Sequence, residues 1–188
     1  MIVKESPLKG INIGTETTVT IRELPGLHTY DLRVSLGSES QSAITSSLGI
    51  ELPKQTGKAQ INLLNNGNEN FVLCLAPDWW LLVGYKGAEE KLASLKSNND
   101  YHFSLVDVSG QRTTIELDGP NTLTVIAHLW EQDLRDKNFP VGSVSQSLMV
   151  KAPVILIRTE VFKYRIMIRS SFALHLWKAL EDAAVEYL

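Results

Sequence analysis

The most suggestive group of reactive side chains in this chain of 188 residues is Asp107-Val108-Ser109-Gly110-Gln111-Arg112. It sets an acid, a hydroxyl and a guanidinium around one turn. Such a trio could hold an anion or a partner through Arg112. It could equally be a plain turn whose Asp and Ser accept from nearby backbone N–H groups. A second group lies on the run Phe162 to Ile168. Phe162, Tyr164, Ile166 and Ile168 fall on one side; Lys163, Arg165, Met167 and, just beyond, Arg169 fall on the other, with Lys151 and Arg158 close in sequence. A basic strand face can meet an acidic partner or an anionic ligand tail, or it can be an ordinary solvated face. The adjacent pair Trp79-Trp80 follows the turn Ala76-Pro77-Asp78. Neighbours on a strand point to opposite faces, so one indole is expected in the core and the other outward, where tryptophan is a frequent interface anchor. A two-sided sheet would cover both. Trp79, Trp80, Arg112, Lys163, Arg165 and Arg169 are accordingly the residues expected at a docking surface.

Other chemistry is thinly represented. The four histidines, His28, His102, His128 and His175, include no pair at metal-ligand spacing. The one cysteine, Cys74, sits inside Phe71-Val72-Leu73-Cys74-Leu75, where a thiol behaves as a small hydrophobe. A lone cysteine makes neither an intrachain disulfide nor a zinc site of paired cysteines. No Gly-x-Gly-x-x-Gly, Walker-type phosphate loop or Gly-x-Ser-x-Gly elbow occurs, so a nicotinamide or flavin site of the Rossmann kind is not expected. The expectation is a chain with no catalytic, cofactor-binding or metal-ligating residue of its own.

Bulk properties narrow the class. Hydrophobic residues make up 44% and charged residues 21%, which is ordinary for a globular protein. A formal net charge of -3 without a basic stripe argues against nucleic-acid binding. The longest apolar segment, around Leu73 to Val83, is broken by Pro77 and Asp78 and falls short of the roughly 20 residues a membrane span needs. Met1 to Leu8 carries no apolar signal core. The expected location is the cytoplasm, away from membranes.

The elements that must position these residues alternate in a repeating order. Residues 1–16 read as a flexible arm. Strands are predicted over Thr17–Leu24 and Tyr30–Leu36, separated by the turn Pro25-Gly26, then a short helix capped by Ser38 and carrying Ile44 and Leu48. Strands over Ala59–Leu64, Phe71–Leu75 and Trp79–Tyr85 follow, the first two joined by the hairpin turn Asn65-Asn66-Gly67-Asn68, then a helix over Ala88–Lys96. The order then recurs: strands over Tyr101–Val108 and Thr113–Leu117, a helix opened by Asp118-Gly119-Pro120 with a stripe of Leu123, Ile126, Ala127 and Trp130, strands over Ser143–Val150, Val154–Thr159 and Phe162–Ile168, and a last helix capped by Ser170. Its face is Ala173, Leu176, Trp177, Leu180 and Ala184, with His175 opposite. Leu36 and Leu117 stand 81 positions apart, while Gly57 and Gly142, Leu63 and Leu148, Leu81 and Ile166, Val83 and Ile168, Leu92 and Trp177, and Leu95 and Leu180 stand 85 apart. The expected fold is α+β, with duplicated βαβ-type halves and mostly antiparallel sheets. A single domain, 17–188, would contain two repeats at about 27–98 and 101–188.

Several of these stretches resemble one family. Leu75-Ala76-Pro77-Asp78-Trp79-Trp80-Leu81-Leu82, Val106-Asp107-Val108-Ser109 with Arg112, Leu117-Asp118-Gly119-Pro120, Phe139-Pro140-Val141-Gly142, Lys151-Ala152-Pro153-Val154, Arg169-Ser170-Ser171-Phe172-Ala173 and Trp177 to Ala184 are similar, in order and spacing, to the gamma subunit of heterotetrameric sarcosine oxidase. Trp80, in place of an acidic residue, and Gln111 before Arg112 depart from the family's pattern. The resemblance implies a fold like the folate-binding domain of the glycine-cleavage aminomethyltransferase. It also implies a place beside alpha, beta and delta subunits that hold NAD, FAD, FMN and zinc. That complex oxidises sarcosine to glycine with oxygen, giving hydrogen peroxide and, with tetrahydrofolate as cosubstrate, methylenetetrahydrofolate. Related dehydrogenase complexes acting on other N-methyl amino acids use similar gamma subunits. The competing expectation is a stand-alone folate-binding or aminomethyltransferase-like protein, for which Asp107 is the carboxylate available to meet a pterin.

Overall fold

The computed structural model describes residues 5–63, 69–98 and 100–188. In chain order the strands and helices are β1 (Asn12–Gly14), β2 (Thr20–Leu24), β3 (Thr29–Val34), α1 (Glu39–Leu48), β4 (Ala59–Leu63), β5 (Glu69–Ala76), β6 (Trp79–Val83), α2 (Ala88–Lys96), β7 (Phe103–Asp107), β8 (Arg112–Asp118), α3 (Thr122–Ala127), β9 (Val144–Met149), β10 (Ala152–Arg158), β11 (Lys163–Arg169) and α4 (Ala173–Ala184). Short 3₁₀ turns cover Ser170–Phe172 and Val185–Tyr187. The predicted hairpin turn Asn65-Asn66-Gly67-Asn68 lies outside the described residues.

The chain forms two compact units, His28–Ser109 and a second made of residues 1–27 with Gly110–Leu188. The first carries a five-stranded sheet in the order β4-β5-β6-β3-β7. Its helix-covered face is Tyr30, Leu32, Val34, Val72, Cys74, Trp80, Leu82 and Leu105, packed with Ile44, Leu48 and Leu92 from α1 and α2. Ser38 caps α1 as predicted, its hydroxyl accepting from Gln41 N at 3.1 Å, and Gly49 ends the helix in the left-handed region at φ 65.

The second unit carries a six-stranded sheet in the order β1-β2-β8-β11-β10-β9. Val19, Ile21, Ile115, Leu117, Val154, Leu156, Tyr164, Ile166 and Ile168 face Val125 and Ile126 of α3 and the predicted stripe of α4. All described strand pairings in both sheets are antiparallel.

The strand orders β4-β5-β6-β3 and β9-β10-β11-β8 are the same path traced twice. Local hydrogen bonds repeat with it. Gly57 N donates to Cys74 O and Gly142 N to Arg158 O, both at 2.9 Å, and both glycines have positive φ, 84 and 81. Cys74 N then returns to Lys58 O and Arg158 N to Ser143 O. Gly57 and Gly142 therefore occupy matching places. The strand pairs do not: Leu81 and Val83 leave the sheet on the face opposite Trp80 and Leu82, whereas Ile166 and Ile168 belong to the helix-covered core. Trp80 matches Tyr164 and Leu82 matches Ile166, one residue away from the predicted alignment. Leu36 is exposed beyond β3, and the position matching Leu117 is Leu32, since Leu32 pairs with Trp80 as Leu117 pairs with Tyr164.

Three further expectations are corrected. Residues 5–16 are not a free arm. Leu8 is buried, β1 pairs with β2, and the buried Glu23 carboxylate accepts from Leu8 N and from Gly10 N, at 3.4 and 2.8 Å. Helix α3 is only six residues long, with Leu123 and Ala127 exposed; Trp130 reaches the core through the turn that follows. Ser170 does not cap α4: it opens a 3₁₀ turn, and its hydroxyl donates to Gly110 O at 3.3 Å.

Candidate functional site

The strongest polar constellation is a row across three neighbouring strands. Arg22 on β2, Glu116 on β8 and Arg165 on β11 stand directly opposite one another in register. Glu116 is 1% exposed, and both its oxygens are used. Oε1 accepts from Arg22 Nε at 2.9 Å and from its terminal nitrogen at 2.5 Å; Oε2 accepts from Arg165 Nε at 2.7 Å. Burial alone raises the Glu116 pKa, but the charge and hydrogen bonds of Arg165 and Arg22 outweigh it, and the group lies below the usual carboxylate range.

Lys163, at the start of β11, pairs with Glu160 and, at 3.5 Å, with Asp118. The basic strand face is thus largely neutralised from within: Lys163 and Arg165, both expected at a docking surface, are engaged in ion pairs inside the sheet. Period-two alternation identified the side of the strand; it could not reveal carboxylates on the neighbouring β8. Arg169 is exposed and stands opposite Arg112 in the β8–β11 register. At the other end of β8, an open polar cleft of about 390 Å³ is lined by Asn12, Glu16, Thr20, Arg22, Asp118 and Gly119.

In the other unit the tryptophans divide as alternation requires. Trp80 is 0% exposed and its Nε1 donates to Pro53 O at 2.9 Å, which removes it from any docking surface. Trp79 is half-buried, with the Arg33 guanidinium 4.2 Å above its ring centre. Arg33 is flanked by Asp31 and Asp78 at 3.4 and 3.7 Å. Neither aspartate nor Arg33 was marked by the sequence, although Asp31 and Arg33 do sit two apart on one strand.

The Asp107 to Arg112 group resolves into a turn. Asp107 Oδ1 accepts from Ser109 N at 2.8 Å and from its hydroxyl at 2.6 Å, and Ser109 Oγ accepts from Thr29 N at 2.9 Å. Asp107 is exposed at the end of β7, so it is no carboxylate deep in a sheet mouth, and the pterin contact proposed for it is corrected. Arg112 opens β8 in the other unit. Cys74 is buried, donates to Ala76 O at 3.4 Å, and burial pushes its thiol pKa up, the opposite of an activated nucleophile. His175 is exposed, with Nε2 3.0 Å from Val150 O. Among the described residues, no three His, Cys, Asp or Glu side chains are grouped to hold a metal ion, and no described helix is long and apolar enough to cross a membrane.

The whole-chain comparisons agree with one another. The sequence profile of the sarcosine oxidase, gamma subunit family matches residues 37–186. Sarcosine oxidase subunit gamma of Corynebacterium sp. (strain P-1) is 29% identical over 173 residues, spanning 92% of this chain and 83% of that protein. The subunit of the same description from Arthrobacter sp. is 28% identical over 176 residues, with the same coverage of 92% and 83%. A chain of the solved heterotetrameric sarcosine oxidase from Corynebacterium sp. U-96, in complex with pyrrole 2-carboxylate, superposes with a TM-score of 0.86 at 26% identity, covering 98% of this chain and 96% of that one. The aminomethyltransferase T of the glycine cleavage system from Bartonella henselae superposes with a TM-score of 0.65 at 13% identity, covering 89% of this chain and 46% of that one. The last likeness concerns the fold alone.

Proposed function

The chain belongs to the sarcosine oxidase, gamma subunit family, and from that premise we propose that it is the gamma subunit of a heterotetrameric complex of the sarcosine oxidase type. The end-to-end likeness to a chain of a solved heterotetramer carries this reading. In it, alpha, beta and delta subunits are the partners and hold FAD, FMN, NAD and zinc. The complex oxidises sarcosine with oxygen to glycine and hydrogen peroxide, and the methyl carbon passes to tetrahydrofolate as methylenetetrahydrofolate. This chain contributes surfaces rather than reacting groups, and works in the cytoplasm. The shared strand order of the two units supports reading the chain as a duplication, with the N-terminal segment built into the second unit.

Of the six residues expected at the interface, we retain Trp79, Arg112 and Arg169. Arg112 and Arg169 stand directly opposite one another on adjacent strands, and a partner surface with acidic groups would complement them.

Co-expression with the flavoprotein subunits tests the proposal. The expected result is one assembly that contains this chain and consumes oxygen with sarcosine. A chain that elutes alone, while the other subunits assemble and turn over sarcosine without it, rejects the role. The same assembly assayed with other N-methyl amino acids separates an oxidase of sarcosine from a related dehydrogenase. A stand-alone folate protein is favoured only by the aminomethyltransferase-like fold. Titration of the isolated chain with tetrahydrofolate is expected to show no saturable binding.

A further inference from the structure

At the end of the six-stranded sheet where β9 turns into β10, strand register lines up one row of side chains. Leu148 on β9 pairs with Pro153 on β10, and Arg169 on β11 pairs with Arg112 on β8. Val154 pairs with Ile168, which brings Pro153 beside Arg169. Met149, Val154 and Ile168 belong to the helix-covered core, so Leu148, Pro153 and Arg169, one residue away on each strand, project from the opposite face. Neighbouring strands lie about 4.8 Å apart, and the row is one continuous strip about 14 Å long. Leu148 is 58% exposed, and Pro153 and Arg169 are exposed with it. The next row inward differs: Ile155 and Met167 are buried.

The two-residue turn Val150-Lys151 fixes the apolar end of the strip. Both residues hold positive φ, 49 and 66, which suits the twist of a tight hairpin, and His175 Nε2 lies 3.0 Å from Val150 O. Lys151 is exposed. The segments that meet here, 148–153 and 168–172, contain no acidic residue, and among the described residues neither Lys151 nor Arg169 has an ion-pair partner. Arg22, Lys163 and Arg165 on the same face each have a carboxylate. The surrounding acids are turned to other groups. Glu116, two rows along this face, holds Arg22 and Arg165. Glu23, on the helix-covered face, accepts from Thr113, Leu8 N and Gly10 N. Asp107, which precedes Arg112 in the chain, accepts from Ser109. Asp182 and Glu186 line a cleft with Val150 on the helix-covered side, without an ion pair to Lys151.

We propose that this strip, apolar at Leu148 and Pro153 and cationic at Lys151 and Arg169, docks an unlike subunit whose surface sets an apolar side chain among carboxylates. The proposal rests on the gamma-subunit reading for the existence of that subunit, and adds the chemistry of its surface. Charge selects the partner. Incoming acids would answer two cations that folding leaves without one, and an apolar centre with a charged rim is the ordinary anatomy of an interface. A second copy packed about a two-fold axis would bring the same strip to both sides, so that every charge it brought would be a cation facing a cation.

The test uses the complete assembly, purified with this chain fluorescently labelled and either wild-type or carrying Arg169→Glu or Leu148→Ser. Each is diluted in series, and the share of free chain is followed by analytical ultracentrifugation. Arg169→Glu is expected to raise the dissociation constant about thirtyfold in about 0.05 M salt and only about fivefold in about 0.5 M. Leu148→Ser is expected to raise it about tenfold in both. Each isolated variant should melt no more than about 3 °C below wild type, because both side chains are exposed; Lys151→Glu gives a third, milder reading. A change below about twofold in either variant, in an assembly that still forms, overturns the proposal and leaves the gamma-subunit reading standing. An Arg169→Glu penalty equal in both salts overturns the acidic partner. Self-association of the isolated wild-type chain that Arg169→Glu abolishes overturns the unlike subunit in favour of a second copy. A wild-type chain that joins no assembly rejects the gamma-subunit reading, and the docking strip with it.

Discussion

Glu116 shows how much of the second unit's electrostatics can be routed through one carboxylate. It is buried, bonded on both oxygens, and flanked in register by two arginines. Removing the carboxylate takes the principal counter-charge from the largely buried Arg165 and from the half-exposed Arg22. Glu116→Gln is expected to cost about 3 kcal/mol of stability near neutral pH, read as a lowered denaturation midpoint. The pH dependence follows from the depressed pKa of Glu116, reinforced by Glu23, whose pKa burial would raise but whose hydrogen bonds, among them those from Thr113 and Gly10, hold below the usual range. A carboxylate whose folded pKa lies below its unfolded value contributes fully above about pH 4.3 and loses that contribution as pH falls through the folded value. Wild-type stability should therefore fall in acid, and the gap between wild type and Glu116→Gln should narrow there. A gap that stays constant from about pH 7 to pH 3 would contradict the assignment. The two tryptophans give a sharper contrast. Trp80→Phe leaves a void and an unanswered Pro53 carbonyl, an expected loss of about 2–3 kcal/mol, whereas Trp79→Phe keeps a ring under Arg33 and should stay within about 0.5 kcal/mol of wild type. Urea denaturation of both variants measures the difference.

At the scale of elements, the duplication is carried by backbone geometry more than by side chains. Gly57 and Gly142 each hold a positive φ just before an edge strand and donate the same hydrogen bond. Alanine at either position meets the same left-handed strain, and each substitution is expected to cost about 1 kcal/mol. Thermal melts of Gly57→Ala and Gly142→Ala should shift by similar amounts; a shift in only one would show that the two turns are not equivalent. Strands, helices and their order were legible in the sequence because alternation and capping are local signals, as Ser38 and the face of α4 illustrate. Register was not. Val83 and Ile168 look alike as apolar strand residues, yet they leave opposite faces, and a slip of one residue is invisible where a strand is apolar on both sides. Ser170 failed as a cap for a related reason: the serine fits a cap in composition, but α4 begins three residues later, after a 3₁₀ turn.

At the scale of the molecule, recognisable order and spacing identified the family, whereas the partners of the basic side chains were not legible. Lys163 and Arg165 looked like free cations because their partners, Asp118 and Glu116, are distant in sequence. Arg158 was noticed only as one more basic residue near that strand, although its buried fork donates to Asp136, Phe139 O and Val161 O. Burial and long-range pairing decide such roles, and neither can be read from neighbouring letters.

The insertion of β2 beside β8 has a consequence for how the protein is made. Arg22 and Glu116 are 94 residues apart. At roughly 5–20 residues per second, β2 leaves the ribosome about 5–20 seconds before β8 has been synthesised. All of His28–Ser109 is translated in that interval and can fold as a continuous unit, while the edge of β2 that will meet β8 waits unpaired. An unpaired strand carrying Val19 and Ile21 is a template for aggregation, and charged residues beside such a strand act as gatekeepers. Arg22, whose later task is to bridge β8, thus protects the nascent chain before that partner exists, beside Glu23, which can already fasten the N-terminal segment.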